Sequence, residues 1–131
     1  MCRQGASVIQ EEVLNIIKDL SVRVFIAWVP ILTSDKHAPD NDTLALAADK
    51  RATHYWDEKG KLPRLFQKTL SLAPRPAWDV YLIYPPGVKW ETEPPNPVYW
   101  QHQLGGVTAA PCLDGRSFAV ELRKVLNLSS N

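Results

Sequence analysis

Residues 75–84 (RPAWDVYLIY), followed by Pro85-Pro86-Gly87, constrain the fold of this chain more than any other stretch. The run is continuously apolar after Asp79 and has prolines at both ends. This profile is typical of a strand that is buried on both faces, with Pro76 fixing the backbone just before the chain enters the sheet. A proline directly ahead of a central strand is also a position where a cis peptide bond is suspected.

A second strand of the same character is predicted at residues 22–30 (VRVFIAWVP), with Phe25 and Trp28 contributing bulk to the core. Segments with helical periodicity separate the two strands, which predicts an α/β fold with one central sheet flanked by helices. The predicted order is helix 6–20, strand 22–30, helix 43–50 capped by Asn41 or Asp42, short strand 51–56, helix 62–70, strand 75–84, its hairpin partner 87–92, and helix 116–126. Residues 99–104 (YWQHQL) fit either a short strand or a helical turn.

Length and charge exclude several classes of protein. A chain of 131 residues suits a single domain over residues 1–131, and a net charge of +1 leaves no electrostatic footprint for nucleic acid. No apolar run approaches the ~20 residues that span a bilayer, so no membrane partner is expected. Two cysteines, Cys2 and Cys112, do not form a disulfide framework. We therefore expect a cytoplasmic protein with reduced thiols.

Three features resemble the thioredoxin-like superfamily, including its redoxin and peroxiredoxin-like members. Cys2-Arg3-Gln4-Gly5 opens a helix, Pro76 precedes a strand that ends at a Gly87 turn, and residues 54–62 through Phe66 look like the passage of aspartate, glycine and helix in that superfamily. The strings WVPIL, PAWDVYL and YWQHQL are similar to those of bacterial thioredoxin-like proteins. The resemblance implies a thioredoxin-like central mixed sheet flanked by helices, N-terminally truncated because the first strand is missing.

The chain departs from that family at the redox site. Family members with two thiols carry Cys-x-x-Cys at the start of the first helix, where the helix N-terminus favours the thiolate. Here Cys2 occupies the place of the second, resolving cysteine, so the resemblance implies that a full two-thiol cycle cannot run within this chain. Cys2, next to Arg3, is the candidate catalytic thiol; the alternative is a frayed terminal cysteine without a role.

The remaining candidates each have a structural alternative. Arg3, Pro76, Trp78, Trp90 and Trp100 are the candidate binding residues, with the two last tryptophans bordering a groove beside the proline-rich segment. Three other candidates are weaker. His54, His102 and Asp57 could be metal ligands but do not have a tight ligand spacing. Cys112 is interpreted as an incidental thiol, and Asp79 as the partner of Arg75 in a structural ion pair. We predict no metal and no cofactor.

Three functions compete. A non-catalytic module could bind a peptide or small molecule by the groove beside Pro76. An assembly protein follows from the missing strand, because an uncovered edge at residues 22–30 invites pairing with another chain; we expect a homodimer through that edge or through a tryptophan-bearing face. A thiol-dependent redox protein, or its remnant, would use Cys2. The first two are favoured over the third.

Overall fold

The computed structural model describes residues 3–129 and shows a mixed α/β protein with one small parallel and one small antiparallel sheet. The elements in chain order are α1 (Arg3–Val8), which continues as a π-helical segment (Ile9–Leu14), β1 (Val24–Trp28), α2 (Asn41–Leu44), which continues as a 3-10 turn (Ala45–Ala47), β2 (Ala52–Trp56), α3 (Lys61–Thr69), β3 (Val80–Ile83), β4 (Tyr99–His102) and α4 (Gly115–Ser129). No helix within residues 3–129 has both the length and the apolar character needed to cross a bilayer.

The chain divides into two compact units, Met1–Leu62 and Pro63–Asn131. Each contains a hydrophobic cluster of its own, the first around Trp28 and the second around Leu70 and Leu104. The single domain predicted over residues 1–131 stays a prediction.

In the first unit, β1 and β2 pair in parallel, in a register that runs from Val24↔Ala52 to Trp28↔Trp56. The strands predicted at 22–30 and 51–56 are therefore confirmed within narrower bounds. The connection between them carries α2, whose N-cap is Asp40 and not the predicted Asn41 or Asp42. The helix is a single turn followed by a 3-10 turn. The Asp40 carboxylate accepts the Thr43 N–H at 2.8 Å, so the helix begins at Asn41 and not at the predicted residue 43.

The first helix differs from its predicted bounds of 6–20. It begins at Arg3, and its helical turns end at Leu14. The apolar periodicity continues to Ile16 and Leu20, but both side chains are exposed. Phe25 is likewise 70% exposed, so its predicted place in the core is wrong. In a strand that is apolar at every position, the sequence does not indicate which face is covered.

In the second unit, β3 pairs antiparallel with β4, from Val80↔His102 to Ile83↔Tyr99. The ambiguous segment 99–104 thus contains a strand, and the predicted hairpin partner 87–92 is wrong. Residues 84–98 contain neither helix nor strand. Trp90 packs edge-on against Phe66 at 5.5 Å, and Glu93 pairs with Lys68 at 2.7 Å, which holds this segment against α3.

Two further expectations about the organising strand are corrected. Where one central sheet was predicted, the described strands pair as β1 with β2 and as β3 with β4, each pair within its own unit. The cis peptide bond in this structure precedes Pro74, whereas the suspected one preceded Pro76. The strand itself begins at Val80, after Asp79, which has a left-handed backbone (φ 60°) that aspartate tolerates better than most residues.

The expected Asp79–Arg75 ion pair is not formed. The Tyr81 hydroxyl donates a hydrogen bond to the Asp79 carboxylate, and the Arg75 guanidinium donates to the Gly105 carbonyl oxygen. The Asp79 carbonyl also accepts the Gln103 N–H at 3.0 Å. Asp79 is therefore satisfied locally and serves to turn the chain into β3.

Candidate functional site

The parallel sheet of the first unit has one uncovered face. Phe25 and Ala27 of β1 and Thr53 and Tyr55 of β2 all point to solvent on this face, which we call the outer face. The Phe25 and Tyr55 rings lie 6.3 Å apart, and Tyr55 is 51% exposed. Parallel sheets are ordinarily covered on both faces. An outer face that carries two adjacent aromatic rings is therefore an unusual exposure of apolar surface.

The opposite, inner face of the same sheet packs against α1 and the 3-10 turn. Trp28 is buried with Ala6 of α1 and Ala47, and its indole N–H donates to His54 Nδ1 at 3.0 Å. Because Nδ1 accepts, the ring proton of the neutral imidazole lies on Nε2, which donates to the Ala47 carbonyl at 2.9 Å. The contrast with the outer face shows that the sheet has one face built for the core of its own unit and one face left open.

The free edge of β1 follows from the hydrogen bonds that pair it with β2. Val24 N–H donates to the Arg51 carbonyl at 3.0 Å, and the Trp28 carbonyl accepts the Asp57 N–H at 2.9 Å. In a parallel ladder, alternate residues of a strand direct both backbone groups to the same neighbour. Val24, Ile26 and Trp28 therefore bond to β2, and the N–H and C=O groups of Phe25 and Ala27 point away from it. No other described strand pairs with this edge.

A buried polar cluster around Arg51 lies at the start of β2, and the sequence interpretation missed it. Arg51 is only 8% exposed, and its Nε and Nη2 atoms donate to the two Asp49 carboxylate oxygens at 2.9 and 2.8 Å. Its guanidinium also donates to the carbonyls of Leu14, Ile17 and Asp19 at 2.8, 2.6 and 3.0 Å. Side-chain and backbone hydrogen bonds from Arg51 hold the pKa of the Asp49 carboxyl well below its usual range.

The function of this cluster is structural. The last carbonyls of a helix lack partners within the helix, and one arginine here satisfies that of Leu14, the last residue of the first helix, together with those of Ile17 and Asp19 in the turns that follow. The Asp-x-Arg spacing directly ahead of β2 was its only sequence signal. An open depression of about 450 Å³ borders the cluster and is lined by Gln10, Lys18, Leu20 and residues 48–51. Its Asp49 and Arg51 groups are already bonded to each other, so they are not free for a ligand.

The predicted site residues fall into separate parts of the chain. Cys2, the candidate catalytic thiol, lies outside the described residues, so its role stays a prediction. Arg3 is exposed at the start of α1 in the first unit. The other candidate binding residues, Pro76, Trp78, Trp90 and Trp100, belong to the second unit.

Within the second unit, the tryptophans serve mainly to pack the fold. Trp78 and Trp100 pack against the cluster of Leu70, Leu72, Ala77 and Leu104, and both are partly buried. Trp90 is 46% exposed against Phe66, and Pro76 is exposed. Their role in binding stays a prediction, and the contacts support a structural role for Trp78 and Trp100.

The proline-rich segment is held in place by side chains from the second unit. The Tyr84 hydroxyl donates to the Pro95 carbonyl at 2.8 Å, and the Thr69 hydroxyl donates to the Pro94 carbonyl at 3.3 Å. Burial raises the pKa of the Tyr84 hydroxyl. The segment is thus an ordered, irregular part of the fold.

The histidines proposed as metal ligands already have partners. His102 is completely buried, accepts the Leu104 N–H on Nδ1 at 3.0 Å and donates from Nε2 to the Ala110 carbonyl at 2.8 Å. His54 is bonded on both nitrogens as described above. Within residues 3–129, no group of three or more histidine, cysteine, aspartate or glutamate side chains is arranged to hold a metal ion. Cys112 is an exposed free thiol.

Gln101 is the second buried polar side chain of β4. Its amide donates to the Tyr99 hydroxyl at 2.8 Å and to the Ser117 hydroxyl at 2.9 Å, and its oxygen accepts the Asp114 N–H at 2.8 Å. These bonds join β4 to the N-terminus of α4, where the Asp114 carboxylate accepts the Ser117 N–H. Gln101 therefore positions the helix and leaves none of its own donors open to a ligand.

The chain was compared with protein-family models, with curated proteins and with solved structures, and none of the three comparisons found a match.

Proposed function

We propose that this chain is a non-catalytic binding or assembly module and that it associates through the outer face and free edge of the β1–β2 sheet. The observation that carries this proposal is the exposure of Phe25 and Tyr55 on a parallel sheet whose other face packs around Trp28 against α1 and Ala47. Burying two aromatic side chains against a partner would remove a large apolar area from water, which is the main favourable term in association.

The edge of β1 supports the same proposal. Its five residues, VFIAW, include no charged side chain and no proline, which are the usual means by which edge strands avoid pairing. Unpaired backbone donors and acceptors at Phe25 and Ala27 are a template for an added strand.

We also propose that the module is thioredoxin-like. This proposal is supported by the position of Cys2 in the sequence, next to Arg3 of α1, by a parallel strand pair followed by an antiparallel one, and by the helix that follows each pair. Solution of an experimental structure that includes Cys2 would test it. A distance between Cys2 and Pro76 greater than one helix diameter, ~10–12 Å, would contradict the relationship.

Selection of binding peptides tests the association surface. We expect random peptides displayed on phage to yield extended apolar sequences that bind the wild-type chain. Binding should be lost with Phe25→Asp, because a carboxylate on the outer face would be buried without a partner. The matched control is Leu32→Asp, which changes a 62% exposed side chain in the same unit but outside the sheet.

Both variants should stay folded, since both side chains are exposed, although Phe25→Asp also loses the ring contact with Tyr55 and should melt at a somewhat lower temperature. Peptides that bind both variants as well as the wild-type chain would place the binding surface elsewhere. If no peptide is selected and the chain does not associate with itself, the proposed function is wrong.

The alternative is a thiol-dependent redox protein that uses Cys2. The observation that favours it is that α1 begins at Arg3, the residue after Cys2, and a helix N-terminus together with a cation lowers the pKa of a thiol. One thiol can form a mixed disulfide, but release of the product requires a second thiol. We therefore expect little or no reduction of insulin. Turnover that is lost in both Cys2→Ser and Cys112→Ser variants would support the redox alternative instead.

A further inference from the structure

We propose that the partner at the free edge of β1 is a second copy of this chain, whose own β1 pairs antiparallel with the first around a twofold axis at Ile26. This inference rests on the proposed function and names its partner. The two copies would form a four-stranded sheet in the order β2, β1, partner β1, partner β2. The evidence is that the edge is complementary to itself in hydrogen bonds, in side-chain size and in charge.

The hydrogen bonds match without remainder. The outward-pointing backbone groups of β1 are the N–H and C=O of Phe25 and of Ala27. In an antiparallel ladder, two residues directly opposite each other can exchange both of their N–H···O bonds. A twofold axis at Ile26 places Phe25 opposite the other copy's Ala27 and Ala27 opposite its Phe25. Each of these two pairs forms two bonds, so every free donor and acceptor of the strand is satisfied.

The same register aligns the whole strand. Val24 falls opposite the other copy's Trp28, and Ile26 falls opposite its own equivalent, so all five residues of β1 have a partner. An axis at Phe25 or at Ala27 would shift the strands and leave one end of each unpaired. Closed twofold pairing of this kind also ends the assembly at two copies with respect to this edge.

The side chains on the outer face fit in this register. β1 places two side chains on the outer face, the large Phe25 and the small Ala27. In this register each phenylalanine ring would lie over the methyl group of the opposing alanine. Directly opposed side chains of a hydrogen-bonded pair are neighbours on one face of the sheet. Arg23, which precedes the strand, falls opposite Val29, so the two copies bring no like charges into register.

Cysteine cross-linking in mixtures tests the register directly. Every variant carries Cys2→Ser and Cys112→Ser, and the two test variants add either Phe25→Cys or Ala27→Cys. In the proposed dimer, positions 25 and 27 face each other with Cα atoms about 5.5 Å apart, within the range of a disulfide. Positions 25 and 25, or 27 and 27, are diagonal neighbours about 7–8 Å apart, beyond that range.

We therefore expect an oxidised species of twice 14.8 kDa when the two variants are mixed and much less when either is oxidised alone. The matched control is a mixture of Thr53→Cys with Ala27→Cys. Thr53 points to the same outer face but lies in β2, two strand spacings or about 9–10 Å from the other copy's β1, so this mixture should not cross-link. Equal cross-linking in all mixtures would overturn the register.

Removal of one donor tests the hydrogen bonds. Ala27→Pro deletes an N–H that β2 does not use, and each dimer would lose two bonds by symmetry. We expect the dissociation constant from sedimentation equilibrium to rise about ten- to a hundredfold. Ala27→Ser keeps the donor at nearly the same size and should dissociate like the wild-type chain. Equal dissociation constants for the two variants would overturn the pairing.

The outcomes separate this inference from the proposed function. Suppose that the wild-type chain sediments at 14.8 kDa at all concentrations but binds selected peptides, and that Phe25→Asp abolishes this binding. This result would show that the partner is not a second copy and would leave the proposed binding surface standing. A monomer to which no peptide binds through Phe25 would overturn both.

Discussion

Replacement of Arg51 by methionine should strongly destabilise the first unit. The guanidinium bonds the Asp49 carboxylate through two nitrogens and satisfies the carbonyls of Leu14 and Ile17, both of which belong to buried residues. Methionine has a similar length but no donor, so the packing volume is largely kept while the acceptors lose their partners.

The magnitude follows from the number of groups left without a partner. Each buried acceptor that loses its hydrogen bond costs about 1–3 kcal/mol, so two carbonyls give about 2–6 kcal/mol. Asp49 remains 13% exposed at its side chain and can recover part of its solvation in water. We therefore expect the free energy of unfolding to fall by about 3–5 kcal/mol, the range found when one partner of a buried ion pair is removed.

Amide hydrogen exchange of the first unit measures this loss. Two amides report on this loss directly. The Val24 N–H donates to the Arg51 carbonyl, and the Ile17 N–H donates to the Val13 carbonyl in the turn whose carbonyls Arg51 binds. The control is Arg23→Met. Arg23 also donates to backbone carbonyls but is exposed, so its loss should change protection by less than about 0.5 kcal/mol.

Two results would refute the reasoning. If Arg51→Met changes the protection of these amides as little as Arg23→Met does, the buried carbonyls must find other partners. If Arg51→Lys restores full stability, the bidentate and multiple bonds of the guanidinium do not matter and a single charge suffices.

Three further predictions concern the second unit. Tyr84→Phe removes the hydrogen bond to the Pro95 carbonyl and should lower the free energy of unfolding by about 1 kcal/mol. Because burial raises the pKa of Tyr84, the stability of the wild-type chain should also fall as the pH rises above about 10. Urea unfolding should show a smaller fall in the variant. Hydrogen bonds from Ser117 lower the pKa of Asp114, so the stability that the ionised carboxylate contributes is complete above the ordinary pKa of 3.8 and is lost as the pH falls further. The unfolding midpoints of the wild-type chain and of Asp114→Asn should therefore converge in acid. A constant difference between them would contradict this. Gln101→Leu keeps the volume but removes three hydrogen bonds at about 0.5–1.5 kcal/mol each, and we expect a loss of about 1–3 kcal/mol by calorimetry. An unchanged melting temperature would show that water replaces the amide.

The sequence by itself determined most elements of the fold. The segments 22–30, 51–56 and 75–84 predicted strands that the structure confirms within narrower bounds. The apolar spacing of residues 62–70 predicted a helix, which the structure has at Lys61–Thr69. These signals are local, because the period of the apolar pattern follows from the backbone geometry of each element. The mixed α/β class followed from their order.

The partners of the strands were decided only by tertiary structure. β3 was expected to pair with residues 87–92, which follow a suitable turn, yet it pairs with β4. The contacts of Trp90 with Phe66 and of Glu93 with Lys68 draw that segment onto α3, and neither contact can be read from spacing along the chain.

The candidate site shows the same division. Because VFIAW is apolar throughout, the sequence identified β1 as a strand but not which of its faces is covered, and Phe25 was placed in the core. Only packing of α1 and Ala47 against Trp28 leaves Phe25 and the edge of β1 open. Likewise, Arg51 caps a helix that ends more than thirty residues before it, since its carbonyl partners lie at sequence separations of 32 to 37. Local propensity determines the secondary structure of each segment, whereas the burial of a side chain depends on how all the segments pack together in the tertiary structure.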